Sequence, residues 1–127
     1  MKLLDASAIF NLFINGKFSV LLSAATIPLA KHEIGNILWK NYRVRNIISK
    51  REAEEAGSVL FDLIDSMEQV VPVPGSTLSL ALEEGITFYD SSYLKSAIDS
   101  GYDFVTDDLK LGKIAIPLVH TQKSSDL

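Results

Sequence analysis

A chain of 127 residues with 47% hydrophobic and 22% charged residues has the composition of a folded globular domain, long enough to bury a core without disulfides or a structural metal. Cysteine is absent, which excludes thiolate metal sites, cysteine nucleophiles and disulfide scaffolds and fits a reducing compartment. The net charge of −4 argues against a bulk electrostatic grip on nucleic acid, although Lys40, Arg43, Arg45, Lys50 and Arg51 form a local basic run.

The opening residues, Met1 to Asp5, meet an acid too early for a signal peptide, and no apolar stretch approaches the roughly 18 residues of a membrane span. A cytoplasmic protein of one domain, residues 1–127, is expected, with 121–127 a polar, frayed tail. Lys2-Leu3-Leu4 reads as a short buried strand ending at Asp5, followed by a helix over about 7–13 that Asn15-Gly16 breaks. Ala25-Thr26-Ile27 reads as a second strand. Pro28 then opens a helix to about Tyr42, with Ile34, Ile37, Leu38 and Tyr42 at helical spacing.

Ser49 and Glu52 have capping-box spacing, and Ala53, Ala56, Leu60, Leu63 and Met67 trace one apolar stripe behind them. The run 70–73 predicts an edge strand, because Pro72 cannot donate to a ladder on both sides. A helix is expected over 76–84 with Gly85 as its left-handed cap. An extended segment at 86–88 should lead to Asp90, which would cap a helix over 91–100. Phe104-Val105-Thr106 reads as a strand ending in Asp107-Asp108, and 114–119 as the last strand. Short apolar runs alternating with helical patterns imply an α/β fold with a mostly parallel sheet.

The acids carry the functional signal. Asp5, Asp90 and Asp107-Asp108 each follow a short apolar segment, and in parallel α/β sheets ligands bind at the carboxyl ends of the strands. Glu33 sits inside a helix, with Asn36 three residues on and the apolar Ile34 and Ile37 beside it. Gathering carboxylates raises their pKa values unless a cation intervenes. Oxygen ligands without thiols favour Mg²⁺ or Mn²⁺ over zinc, and such an ion activates water against a phosphodiester.

Four stretches, Leu4-Asp5-Ala6-Ser7, Glu33-Ile34-Gly35-Asn36, Tyr89-Asp90-Ser91-Ser92-Tyr93-Leu94 and Thr106-Asp107-Asp108-Leu109-Lys110-Leu111, resemble in order the four motifs of the PIN-domain family. Within it they look closest to the VapC toxins of prokaryotic toxin–antitoxin pairs. The resemblance spans Leu3 to Leu118. It implies an α/β/α sandwich with a short central sheet and places Asp5, Glu33, Asp90 and Asp108 as catalytic and metal-binding acids. It further implies an RNA substrate, Mg²⁺ or Mn²⁺ as cofactor, a homodimer, and a small VapB-like antitoxin covering the acidic cleft. The helices between Pro28 and Met67 are the expected dimer face.

The fourth motif departs from the family pattern, since its variable position is itself an acid, Asp107, which either joins the site or faces solvent. Ser7 and Thr106 are candidates to orient carboxylates, with local backbone bonding the competing role. Asn36 either bonds a site carboxylate or RNA or is an ordinary helix-face residue. Asp5 and Asp90 also suit helix N-caps. Lys40, Arg43 and Arg45 are the candidate RNA contacts, and Trp39 with Tyr42 would either stack on bases or pack. His32 and His120 receive no catalytic role. The competing functions are an RNA-processing PIN nuclease outside a toxin pair and an inactive PIN-like module that binds RNA or protein. Receiver and haloacid-dehalogenase patterns fit less well: the first needs an acidic pair at the chain start and the second an acid where Ser7 stands.

Overall fold

In a computed structural model covering residues 1–127, five very short strands form one parallel sheet flanked by seven helices. β1 (Lys2–Leu4) leads directly into α1 (Ala6–Ile14). A short α2 (Phe18–Leu22) precedes β2 (Ala25–Thr26), then come α3 (Leu29–Arg43) and α4 (Lys50–Ser66). β3 (Glu68–Gln69), α5 (Pro74–Glu84), α6 (Phe88–Ser100), β4 (Asp103–Val105) and α7 (Leu109–Ala115) follow. β5 (Thr121–Gln122) and a 3₁₀ turn at Ser124–Asp126 end the chain.

The strand order is β3-β2-β1-β4-β5, with every neighbouring pair parallel. β1 is therefore central, and the chain winds outward from it in both directions. Ligand crevices open where that winding reverses, at the carboxyl ends of the strands. Leu3, Leu4, Phe104 and Val105 are fully buried, as a strand covered on both faces requires. They join Ile9, Leu12, Ile34, Leu60, Ile64, Tyr93 and Leu94 in one core cluster of 22 buried residues. Burying each of the larger side chains stabilises by about 1.5–3 kcal/mol.

Helix boundaries follow side-chain chemistry. Ser49 and Glu52 form the reciprocal capping box at the start of α4: Ser49 Oγ accepts from the Glu52 N–H and Glu52 Oε1 from the Ser49 N–H. Gly85, at φ +66°, ends α5 in the left-handed conformation. Buried Gly57 lets α4 close on α3, since a Cβ there would already touch Phe61 and Leu38 at 3.4 and 3.5 Å.

Four expectations are corrected. The run 70–73 is not a strand: β3 lies two residues earlier, at Glu68–Gln69, because Pro72 removes a donor and Pro74 begins α5 two residues ahead of the expected start. Val71 and Val73 are exposed. The run 114–119 is not a strand either. Leu111 and Ala115 share one buried helical face, α7 carries through Ala115, and Pro117 prevents further winding. The last strand is β5. The segment 86–88 is no strand, since α6 already begins at Phe88 with Thr87 as its cap. The segment 121–127 is not frayed: β5 pairs with β4, and Ser124 is buried.

Candidate active site

Asp5 stands where β1 ends and α1 begins. Its N–H completes the ladder by donating to Val105, and its side chain caps the helix by accepting the Ala8 N–H at 2.9 Å. Two hydroxyls hold the same carboxylate: Ser7 Oγ donates to Oδ1 at 2.6 Å and Thr106 Oγ1 to Oδ2 at 2.5 Å. Asp5 is thus a cap and a presented carboxylate at once. Both hydroxyls that the sequence marked as possible orienting groups do bond it.

Thr106 follows β4 and also accepts the Asp108 N–H at 3.1 Å. Asp108 caps α7 by accepting the Leu111 N–H. Asp107 turns the other way. Its oxygens accept from Asn11 Nδ2 at 2.7 Å and from the Ser124 N–H and Oγ at 2.8 and 2.5 Å, while its own N–H donates to Ser7 Oγ. Asp107 does not border the cavity that Asp5 and Asp108 share. Its place is structural, tying the loop after β4 to the C-terminal segment.

That cavity, of about 230 Å³, is lined by Asp5, Glu33, Asp90 and Asp108 together with Ser7, Asn36, Lys40 and Tyr93. Glu33 and Asn36 come from one face of α3. Asp90 lies in the first turn of α6 and is not its cap, as expected from sequence. Thr87 is the cap, and its Oγ1 accepts the Asp90 N–H at 3.0 Å, leaving the Asp90 carboxylate free to face the cavity. Of the basic run only Lys40 borders the acids. Arg43 and Arg45 lie at and beyond the end of α3, with Arg45 donating to Asn41. Trp39 and Tyr42 line a separate open groove between α3 and α4, with Phe61 across from them. His120 faces Asp103 instead, at 3.3 Å.

The residue that sequence reasoning missed is Tyr93. It follows Asp90 by one helical turn, so both project from the same face of α6, a spacing visible in the sequence. Its side chain is buried and its hydroxyl has no hydrogen-bond partner, although Glu33 is beside it. Burial first, then the carboxylates of Glu33, Asp5 and Asp90, push its pKa above the ordinary tyrosine range. It therefore stays protonated, a spare donor among acceptors.

The acids repel their own ionisation. Burial raises Asp5 to about 6, against the lowering effect of Ser7, Thr106 and the Ala8 N–H. Burial and then the charge of Asp90 raise Glu33; burial and then the charge of Asp108 raise Asp90. No three of these side chains stand as a finished metal cage. The donor set is nonetheless all oxygen, its centre is fixed, and its charge is short of a counter-cation, which is the chemistry a hard divalent ion fits.

No protein-family model matches the sequence. Ribonuclease VapC3 of Pyrobaculum aerophilum is 31% identical over 124 residues, covering 89% of this chain and 94% of that protein. The chain belongs to the VapC family of PIN-domain proteins. Exonuclease VapC9 of the same organism is 34% identical over 89 residues, covering 68% of this VapC-family chain and 63% of VapC9. The crystal structure of PAE2754 from Pyrobaculum aerophilum superposes with a TM-score of 0.83 at 27% identity, covering 98% of this chain and 90% of that one. VapBC-1 of nontypeable Haemophilus influenzae, at 13% identity and a TM-score of 0.60, shares the fold of this VapC.

Proposed function

We propose that this VapC-family chain is a divalent-metal-dependent endoribonuclease, the toxin of a toxin–antitoxin pair, acting on single-stranded or loop RNA in the cytoplasm. The observation that carries the reading is the single cavity bordered by Asp5, Glu33, Asp90 and Asp108, with Asp5 locked by three donors. Family membership supplies the ribonuclease chemistry, as VapC3 is named for it.

Asp5, Asp90 and Asp108, with Glu33, would hold Mg²⁺ or Mn²⁺, which when bound lowers the pKa of a water and neutralises phosphate charge. The protein's own groups divide the remaining work. Asp5 cannot rotate without breaking three hydrogen bonds, so it presents one fixed carboxylate edge. Glu33, half-buried and raised in pKa, takes the proton of the attacking water. Tyr93 and Lys40 supply the donors that a phosphate needs in a cavity otherwise made of acceptors. The products are a free hydroxyl on one fragment and a phosphate monoester on the other.

The homodimer and the antitoxin belong to the same proposal. The α3–α4 groove, with Trp39, Tyr42 and Phe61, is the apolar surface for a protein partner, and a VapB-like segment reaching the acids would exclude RNA. Light scattering of the chain alone tests the dimer. The name of VapC9 raises exonuclease action as a second reading. A circular single-stranded RNA separates the two: cutting of the circle requires internal attack, and an untouched circle with a degraded linear control favours exonuclease action.

The deciding experiment incubates labelled single-stranded RNA with wild type and Asp5→Asn, each with Mg²⁺, Mn²⁺ or chelator. Metal-dependent cutting lost in Asp5→Asn is expected. Equal cutting by both proteins, or none by wild type together with no thermal shift on Mn²⁺, rejects the reading.

A further inference from the structure

The nine lysines divide into two groups. Lys2, Lys31, Lys50 and Lys95 each pair with a carboxylate, and Lys17 donates to the Leu127 carbonyl oxygen. Lys40, Lys110, Lys113 and Lys123 pair with no acid. All four border cavities that reach the candidate acids. Lys40 lines the acid cavity itself, and Lys110 lines a smaller one beside Asp90 and Asp108. Lys113 and Lys123 face each other across a cleft of about 420 Å³ between α7 and β5. Asp108 lines all three.

In a chain of net charge −4, ammonium groups left without carboxylate partners only around the acids are placed for an anion brought from outside. The α7–β5 cleft has further features of a nucleotide pocket. Its volume lies within the roughly 300–1,000 Å³ of ligand sites. Leu109 and Ile116, 65% and 66% exposed, give it apolar walls wide enough for a base. Gln122 lines it too, and its buried amide oxygen has no hydrogen-bond partner. Thr106, which orients Asp5, belongs to the same wall, so cleft and acids are one continuous surface.

We propose that this cleft is a nucleotide subsite. Single-stranded RNA crossing Asp108 lays the nucleotide beside the scissile phosphate between α7 and β5. Lys113 and Lys123 meet that nucleotide's phosphate, Leu109 and Ile116 meet its base, and Gln122 offers the base a hydrogen-bonding edge. The assignment rests on the nuclease reading and adds to it where substrate affinity and base preference reside.

The test compares Lys113→Gln/Lys123→Gln with Arg43→Gln/Arg45→Gln, which removes the same charge away from the acids. Two readouts are taken on one labelled single-stranded RNA: steady-state cleavage in Mn²⁺, and anisotropy in chelator across a salt series. In the cleft variant KM should rise severalfold with kcat retained. Its log–log salt slope should shrink by about 1.4, from two phosphate contacts at about 0.7 each on a single strand. The arginine variant should stay near wild type, and Lys113→Arg/Lys123→Arg should restore both readouts, which a folding defect would not allow. Wild-type KM and slope in the cleft variant, or an equal loss in the arginine variant, overturns the subsite. If wild type binds RNA without cutting it, the nuclease reading fails while the salt slopes still decide the cleft. Failure of wild type to bind in either condition overturns the cleft as well, and leaves the free edge of β5 to a peptide partner.

Discussion

The two halves of the acid cavity are held by different means. The strand-borne half, Asp5 with Ser7, Thr106 and Asp108, is a closed hydrogen-bond network anchored to the ends of β1 and β4. The helix-borne half, Glu33, Asp90 and Tyr93, puts its groups into the cavity with no side-chain hydrogen bond of standard geometry among them. One half is thus pre-set, and the other is free to rearrange when charge arrives. A site that must bind a cation and then a polyanion gains from that division: a fixed ligand sets position, and adjustable ones complete it.

Substitutions can break that comparison in order of expected effect. The largest effect should come from Asp5→Asn, lowering kcat by on the order of a thousandfold, or about 4 kcal/mol of barrier, with the fold intact by circular dichroism. Thr106→Val should cost about 10–100-fold in metal affinity or rate, because an outer partner orients the ligand. A Mn²⁺ titration of activity reads it, and an unchanged half-saturation would show that Asp5 needs no orienting.

The pH dependence sharpens the contrast. Asp5 has a folded-state pKa of about 6 against an ordinary 3.8, so between these values the folded state holds the extra proton. Ionisation therefore opposes folding. The penalty is absent below 3.8, complete above about 6, and worth at most about 3 kcal/mol for this buried group. Metal-free protein should lose thermal stability as pH rises through that window, Glu33 and Asp90 adding in the same direction. Asp5→Asn should flatten the profile and Mn²⁺ should recover stability at pH 7; a wild-type profile rising with pH would contradict the electrostatics. The smallest effect belongs to Tyr93→Phe, which removes an unpartnered hydroxyl. Stability should change by less than about 1 kcal/mol, while kcat falls severalfold because a phosphate donor is gone.

The strand-borne half was also the more legible one. Asp5 and Asp108 could be read because a buried strand ending in an acid has a plain pattern, visible at Leu3-Leu4-Asp5. Glu33 and Asp90 came through the family resemblance, since a helical acid is ordinarily a surface group. Asp107 was left undecided for a physical reason: its partners, Asn11 and Ser124, lie 96 and 17 residues away, and local pattern carries no trace of them. The runs 70–73 and 114–119 misled because apolar β-branched residues were read as buried strands, whereas prolines at 72, 74 and 117 set the boundaries. The five-residue α2 is too short to show a period at all.

The grip of Asp107 on Ser124 has a further consequence. Three of the four hydrogen bonds that Asp107 accepts or donates lead either to Ser124 or to the Ser7 hydroxyl that also holds Asp5. A protease clipping after Lys123 would leave Asp5, Glu33, Asp90 and Asp108 untouched. It would nevertheless release the brace behind the loop that carries Asp108. Loss of four residues remote from the chemistry would then slacken the active centre, so the extreme C-terminus works as a latch whose removal disarms the molecule without altering one catalytic group.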